Sequence, residues 1–106
     1  MISEETINEA VRRLVEAARP RKVILFGSYA RGEAREDSDL DFLVIEREVK
    51  ARHREMVRLD DALRSLQIPV DVLVATEETF QEWCETPCTV YYDAHQQGKI
   101  YYEAEG

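Results

Sequence analysis

Cysteine is scarce in this chain, basic residues are outnumbered, and no long apolar run occurs. Each shortage closes off a class of function. The two cysteines, Cys84 and Cys88, lie four positions apart with Pro87 between them. A structural zinc site needs further ligands at suitable spacing. His95 is too isolated to complete one, so free, buried or half-buried thiols are expected, with His53 and His95 on the solvated surface. Lys and Arg number 14 against 22 Asp and Glu, for a net charge of −8. That balance disfavours free nucleic acid as a ligand and suits a basic protein partner. No stretch approaches the roughly 20 apolar residues that cross a bilayer. Met1 to Pro20 carries Glu4, Glu5, Glu9, Arg12 and Arg13 and no apolar core of signal-peptide length. A cytoplasmic protein is expected. Repeats, low-complexity tracts and linkers are missing too. The 106 residues are expected to form one domain, 1–106, with a modest core.

The chain does contain a Gly-Ser turn, a ten-residue spacer and an Asp-x-Asp pair that opens an apolar strand. Lys22 to Phe26 (KVILF) reads as a buried strand that delivers its C-terminal end to Gly27. Gly27 has no Cβ, so a phosphate can approach the backbone there. Ser28 adds a hydroxyl, and Tyr29, Ala30 and Arg31 read as a helical turn whose first amides can bind an anion. Asp39 and Asp41 sit two apart at the start of the next strand, Leu40 to Ile45. Strand periodicity puts their carboxylates on one face, roughly 6.6 Å apart along the strand, with Leu40 and Phe42 on the other. Paired carboxylates suit Mg²⁺, a hard cation that takes few protein ligands plus substrate phosphates. A two-metal site holds its ions about 3.5–4 Å apart, so one carboxylate would have to bridge them. A third acid, Asp71, lies in the valine-rich strand Val70 to Val74. An acid there is expensive unless something pairs with it, and a metal shared with Asp39 and Asp41 would do so.

Two other motifs fail on inspection. Gly27 and Gly32 have P-loop spacing, but Glu33 and Ala34 stand where Lys and Ser/Thr belong. Asp37, Asp39 and Asp41 mimic the start of a calcium loop, but Phe42 occupies the position that must be Gly.

The rest of the pattern is an alternation of helices and strands. Glu4 to Arg19 carries Ile7, Val11, Leu14, Val15 and Ala18 at helical spacing, with Ser3 as N-cap and Pro20 as terminator. Glu33 to Ser38 reads as a mobile, polar loop. Val49 to Leu66 reads as a long charged helix with Met56, Leu59, Leu63 and Leu66 as its buried stripe. Thr76 caps a short helix reaching Trp83. Pro87 can start another, Thr89 to Gln97, closed by Gly98. Lys99 to Tyr102 reads as an edge strand or an extended tail. Tyr91, Tyr92, Tyr101 and Tyr102 read as amphipathic packing or as a docking patch.

Gly27, Ser28, Asp39, Asp41 and Asp71 together resemble the signature of the nucleotidyltransferase superfamily that includes polymerase beta. The text GSYARGEAREDSDLDFLVI is similar to the minimal nucleotidyltransferases of HEPN–MNT toxin–antitoxin systems, over nearly the whole chain. The resemblance implies an α/β fold, a small mixed sheet flanked by helices, as in a polymerase beta-like palm. It implies ATP as substrate, its triphosphate against Gly27 and Ser28, and two Mg²⁺ ions held by Asp39, Asp41 and Asp71. By the same resemblance Asp71 takes the proton from the attacking hydroxyl. Arg31 contacts phosphate or forms an ion pair with a loop acid. A chain without a second domain needs its acceptor brought to it. The implied partner is a HEPN ribonuclease toxin that receives AMP on a tyrosine, with this chain as antitoxin. Two rivals remain: an antitoxin that covers its toxin without catalysis, and a small-molecule nucleotidyltransferase.

Overall fold

In the computed structural model, which describes residues 1–105, the chain begins with helix α1 (Glu4–Ala18), strand β1 (Lys22–Phe26) and the short helix α2 (Ser28–Arg31). Strand β2 (Leu40–Glu46), helix α3 (Arg52–Leu63) and strand β3 (Val70–Thr76) follow. Helices α4 (Glu77–Trp83) and α5 (Val90–Gln97) and strand β4 (Lys99–Glu103) complete it. The strands form one sheet in the order β3-β2-β1-β4. β1 is antiparallel to both of its neighbours, whereas β2 and β3 run parallel. A parallel pair needs a crossover, and α3 supplies it. The expected small mixed sheet flanked by helices is therefore present.

Both faces of the sheet are covered, which is why β1 and β2 read as continuous apolar runs rather than as alternations. On one face Val23, Leu25, Leu40, Phe42, Val44, Val72 and Val74 pack against Ile7, Ala10, Val11 and Leu14 of α1 and Leu59 and Leu63 of α3. On the other, Ile24, Phe26, Leu43, Ile45 and Ala75 pack against Phe80 of α4 and Ala94 of α5. Asp41 shares this second face with Leu43 and Ile45, and Asp71 shares it with Leu73 and Ala75.

The helix caps follow local chemistry. Ser3 Oγ accepts from the Thr6 amide, Thr76 Oγ1 from Thr79 and Thr89 Oγ1 from Tyr92. α1 ends on Arg19 in the left-handed region (φ 46°), before the buried Pro20.

Several boundaries differ from the sequence reading. α3 starts at Arg52 rather than Val49, behind Ala51, which has no side chain able to cap it. Its last turn tightens into a 3₁₀ turn, Arg64–Leu66, and Met56 and Leu66 are only partly buried. Pro87 lies in the turn ahead of α5, and Thr89 is the residue that caps the helix. Cys88 is exposed rather than buried, on a left-handed turn residue (φ 71°), while Cys84 is half-buried. Residues 99–103 form a strand, not a tail. Among the described residues, no helix is long and apolar enough to cross a membrane.

Candidate active site

The C-terminal end of β1 and the N-terminal ends of β2 and β3 meet at one edge of the sheet. Phe26 is the partner of Asp41, and Asp41 is the partner of Asp71. This row follows from one antiparallel and one parallel pairing, and it sets the carboxylates of Asp41 and Asp71 side by side on neighbouring strands. Asp39 lies two residues before Asp41, just outside β2.

Gly27 follows Phe26 directly. Its backbone (φ 74°, ψ −156°) lies in a region essentially reserved for glycine. A Cβ added there would run into Asp41 Oδ2 and come within 3.2 Å of Asp41 Cγ. The glycine is thus required twice, by its own turn and by the carboxylate lying against it. The close approach that the sequence assigns to a phosphate is here made by Asp41. α2 begins at Ser28, so the Gly-Ser turn opens a helix as expected.

Burial is uneven among the three acids. Asp41 is half-buried, whereas Asp39 and Asp71 are exposed. Asp71 avoids the cost expected of a strand-interior acid because it is the second residue of an edge strand. Desolvation, then the charges of Asp71 and Asp39, push the Asp41 carboxyl up to about 6; Arg31 opposes this. The three acids therefore share one electrostatic neighbourhood. They do not close on a single point: among the described residues no three His, Cys, Asp or Glu side chains form a metal-holding group. The donor set still fits a hard divalent cation, because it is made only of carboxylate oxygens. Asp41, raised first by burial and then by its acidic neighbours, is the carboxylate that a bound cation would relieve most.

Arg31 supplies part of that charge. Its Nε donates to Glu33 Oε1 at 2.9 Å, and its Nη1 lies 3.4 Å from both Asp93 oxygens. The ion pair with a loop acid is therefore formed. Asp93, on α5, escaped the sequence reading: it lies 62 positions from Arg31, and no local pattern links them.

A Gly-Ser turn feeding a helix, beside acids at the head of paired strands, defines a nucleotidyltransferase domain. Residues 4–101 match the model of the nucleotidyltransferase domain family, and the chain belongs to that family. One similar sequence is a "putative protein adenylyltransferase" of Methanocaldococcus jannaschii, 49% identical over 47 residues, which are 42% of this chain and 47% of that protein. The match thus spans about half the length of that relative. A solved "putative minimal nucleotidyltransferase" superposes with a TM-score of 0.54 at 29% identity, covering 93% of this chain and 95% of that one. A "toxin-antitoxin with AMP-PNP" superposes with a TM-score of 0.58 at 21% identity, covering 92% and 74%. The latter likeness is one of fold.

Proposed function

We propose that the chain, acting as one domain in the cytoplasm, transfers AMP from Mg-ATP to a hydroxyl of a partner protein. The partner is a HEPN ribonuclease toxin, the acceptor a tyrosine, and the chain its antitoxin. The row Phe26–Asp41–Asp71, with Gly27 folded against Asp41, carries this reading. Family membership supports the reaction class. The partner class is supported by the fold shared with a toxin–antitoxin structure that holds an ATP analogue.

The triphosphate lies along Gly27, Ser28 and the first amides of α2, which have no partner inside so short a helix. Asp39, Asp41 and Asp71 would hold two Mg²⁺ ions, which when bound neutralise the triphosphate and the departing pyrophosphate. Asp71 accepts the proton of the attacking tyrosine hydroxyl; its exposure leaves it open to a group arriving from another protein. The tyrosine oxygen bonds to the α-phosphorus, the bond from that phosphorus to the β-phosphate oxygen breaks, and pyrophosphate leaves. Arg31 offers its guanidinium to the phosphates. An AMP group near the ribonuclease site then obstructs RNA by bulk and charge.

The test is intact-mass spectrometry of the protein encoded beside this chain, after incubation with it, ATP and Mg²⁺. Mass increments of whole AMP units on a tyrosine are expected, and none with Asp41→Asn. A partner neutralised at unchanged mass, equally well by Asp41→Asn, would establish steric antitoxin action instead. AMP on a small molecule and none on the partner would establish the small-molecule reading.

A further inference from the structure

Three arginines line a cavity far from the acidic row, in a protein whose net charge is −8. The cavity, of about 470 Å³, is lined by Arg19, Arg21, Arg47 and Tyr102 over a floor of Val15, Pro20 and Ala104. It opens at the opposite end of the sheet. The Arg21 amide donates to the Ile45 carbonyl at 2.7 Å, and the Ala104 amide to the Arg21 carbonyl at 2.9 Å. From Arg21 to Gly27 is six strand steps, roughly 20 Å.

The arginines come from separate elements: Arg19 ends α1, Arg21 precedes β1 and Arg47 follows β2. Like charges gathered this way repel, and acids are abundant enough in this chain to have paired them all. Arg21 has Glu77, at 3.4 Å from its Nε. Arg19 and Arg47 form no ion pair among the described residues. Arg19 also holds a left-handed backbone (φ 46°), where glycine or asparagine is the inexpensive choice at a helix end.

We infer that this cavity is a binding site for a nucleoside phosphate, separate from the acidic row. Guanidinium groups bind phosphate oxygens through paired, charge-assisted hydrogen bonds. The Tyr102 ring and the apolar floor receive a base, through the stacking that aromatic side chains give any nucleobase. The volume falls within the range of small-molecule sites. Among the described residues the cavity is lined by no carboxylate side chain, so binding here does not require a divalent cation, in contrast to the site at Asp41.

Calorimetric titration with ADP in excess EDTA tests this. The wild type is expected to bind one ADP, and Asp41→Asn to bind it equally. Affinity should fall at least about tenfold in Arg47→Glu, and further in Arg19→Gly/Arg47→Glu, for the loss of one and then two charged hydrogen-bond donors. Arg47 is exposed and Arg19→Gly suits the left-handed backbone, so both variants keep the fold. The inference is overturned if the wild type takes up no ADP without metal, or if Arg47→Glu binds as the wild type does. It is equally overturned if inorganic triphosphate binds as tightly as ADP, since the nucleoside would then contribute nothing.

Discussion

Asp41 and Asp71 are direct partners across the parallel β2–β3 pair, and only Asp41 is substantially withdrawn from water. The pairing places two like charges on adjacent strands, and the burial falls on the residue that Gly27 also touches.

Replacing Asp41 with Asn should abolish AMP transfer and stabilise the metal-free protein. Folding raises this carboxyl from 3.8 to about 6, through burial first and Asp71 second. A raised carboxyl stabilises the fold fully below its unfolded value, and that contribution is lost as pH rises through the folded one. At neutral pH the ionised Asp41 is therefore a net cost, which Asn removes. After allowance for its partial exposure, the gain is about 1 kcal/mol, a few degrees in melting temperature. Thermal melts in EDTA at pH 4 and pH 7 check it; the gain should be confined to the higher pH.

Gly27→Ala should destabilise the protein by about 2 kcal/mol or more, because a glycine-only backbone and a collision with Asp41 add together. Nucleotide binding should be lost with it. Denaturant unfolding and Mg-ATP calorimetry provide the measurements, and a variant that binds normally would show that Asp41 can move aside freely.

At the far end of β2, one Glu46 oxygen is buried without a hydrogen-bond partner. Burial, then the neighbouring Glu55 carboxyl, pushes Glu46 up to about 8, while Arg58 holds Glu55 below its ordinary value. The protonated Glu46 favours the fold below about 4.5, and stability declines as pH rises through about 8. Glu46→Gln should leave stability near wild type at pH 5 and raise it by about 1–2 kcal/mol at pH 9, once partial exposure is discounted. Chemical denaturation at the two values tests the crossover.

Arg31→Ala removes two ion pairs that are a third or more exposed on at least one side. Pairs of that kind contribute little, so the stability cost should stay below about 1 kcal/mol. A much larger fall in transfer rate would then belong to phosphate contact rather than to folding. Parallel melting and single-turnover assays separate the two.

Much of the site could be read from the sequence because its spacing is local. Gly27, Ser28, Asp39 and Asp41 lie within one strand-turn-strand passage, and Asp71 heads the next apolar run. Strand periodicity is enough to set Asp41 on the face opposite Leu40 and Phe42, whereas Asp39 lies just outside β2. The rest depends on partners brought together by tertiary packing. Nothing in a linear pattern aims Asp93 at Arg31, or Glu55 at Glu46, because each pair joins different elements. Charge and helical spacing extend back to Val49, but the chain first has to turn out of β2, so α3 starts at Arg52. The low cost of Asp71 is invisible in the sequence, which does not say that β3 lies at the edge of the sheet.

β1 occupies an inner position in the sheet although it precedes β2, β3 and β4 in the chain. One of its edges is satisfied by β2 soon afterwards; the other waits for β4, which follows β3. On a ribosome, α1, β1, β2, α3 and β3 can therefore assemble the first layer of core while the opposite face of β1 is still open. Helix α5, which carries Asp93 to Arg31, follows β1, β2 and β3, the strands that build the acidic row. A nascent chain would thus hold its acidic row before it could brace the arginine next to it.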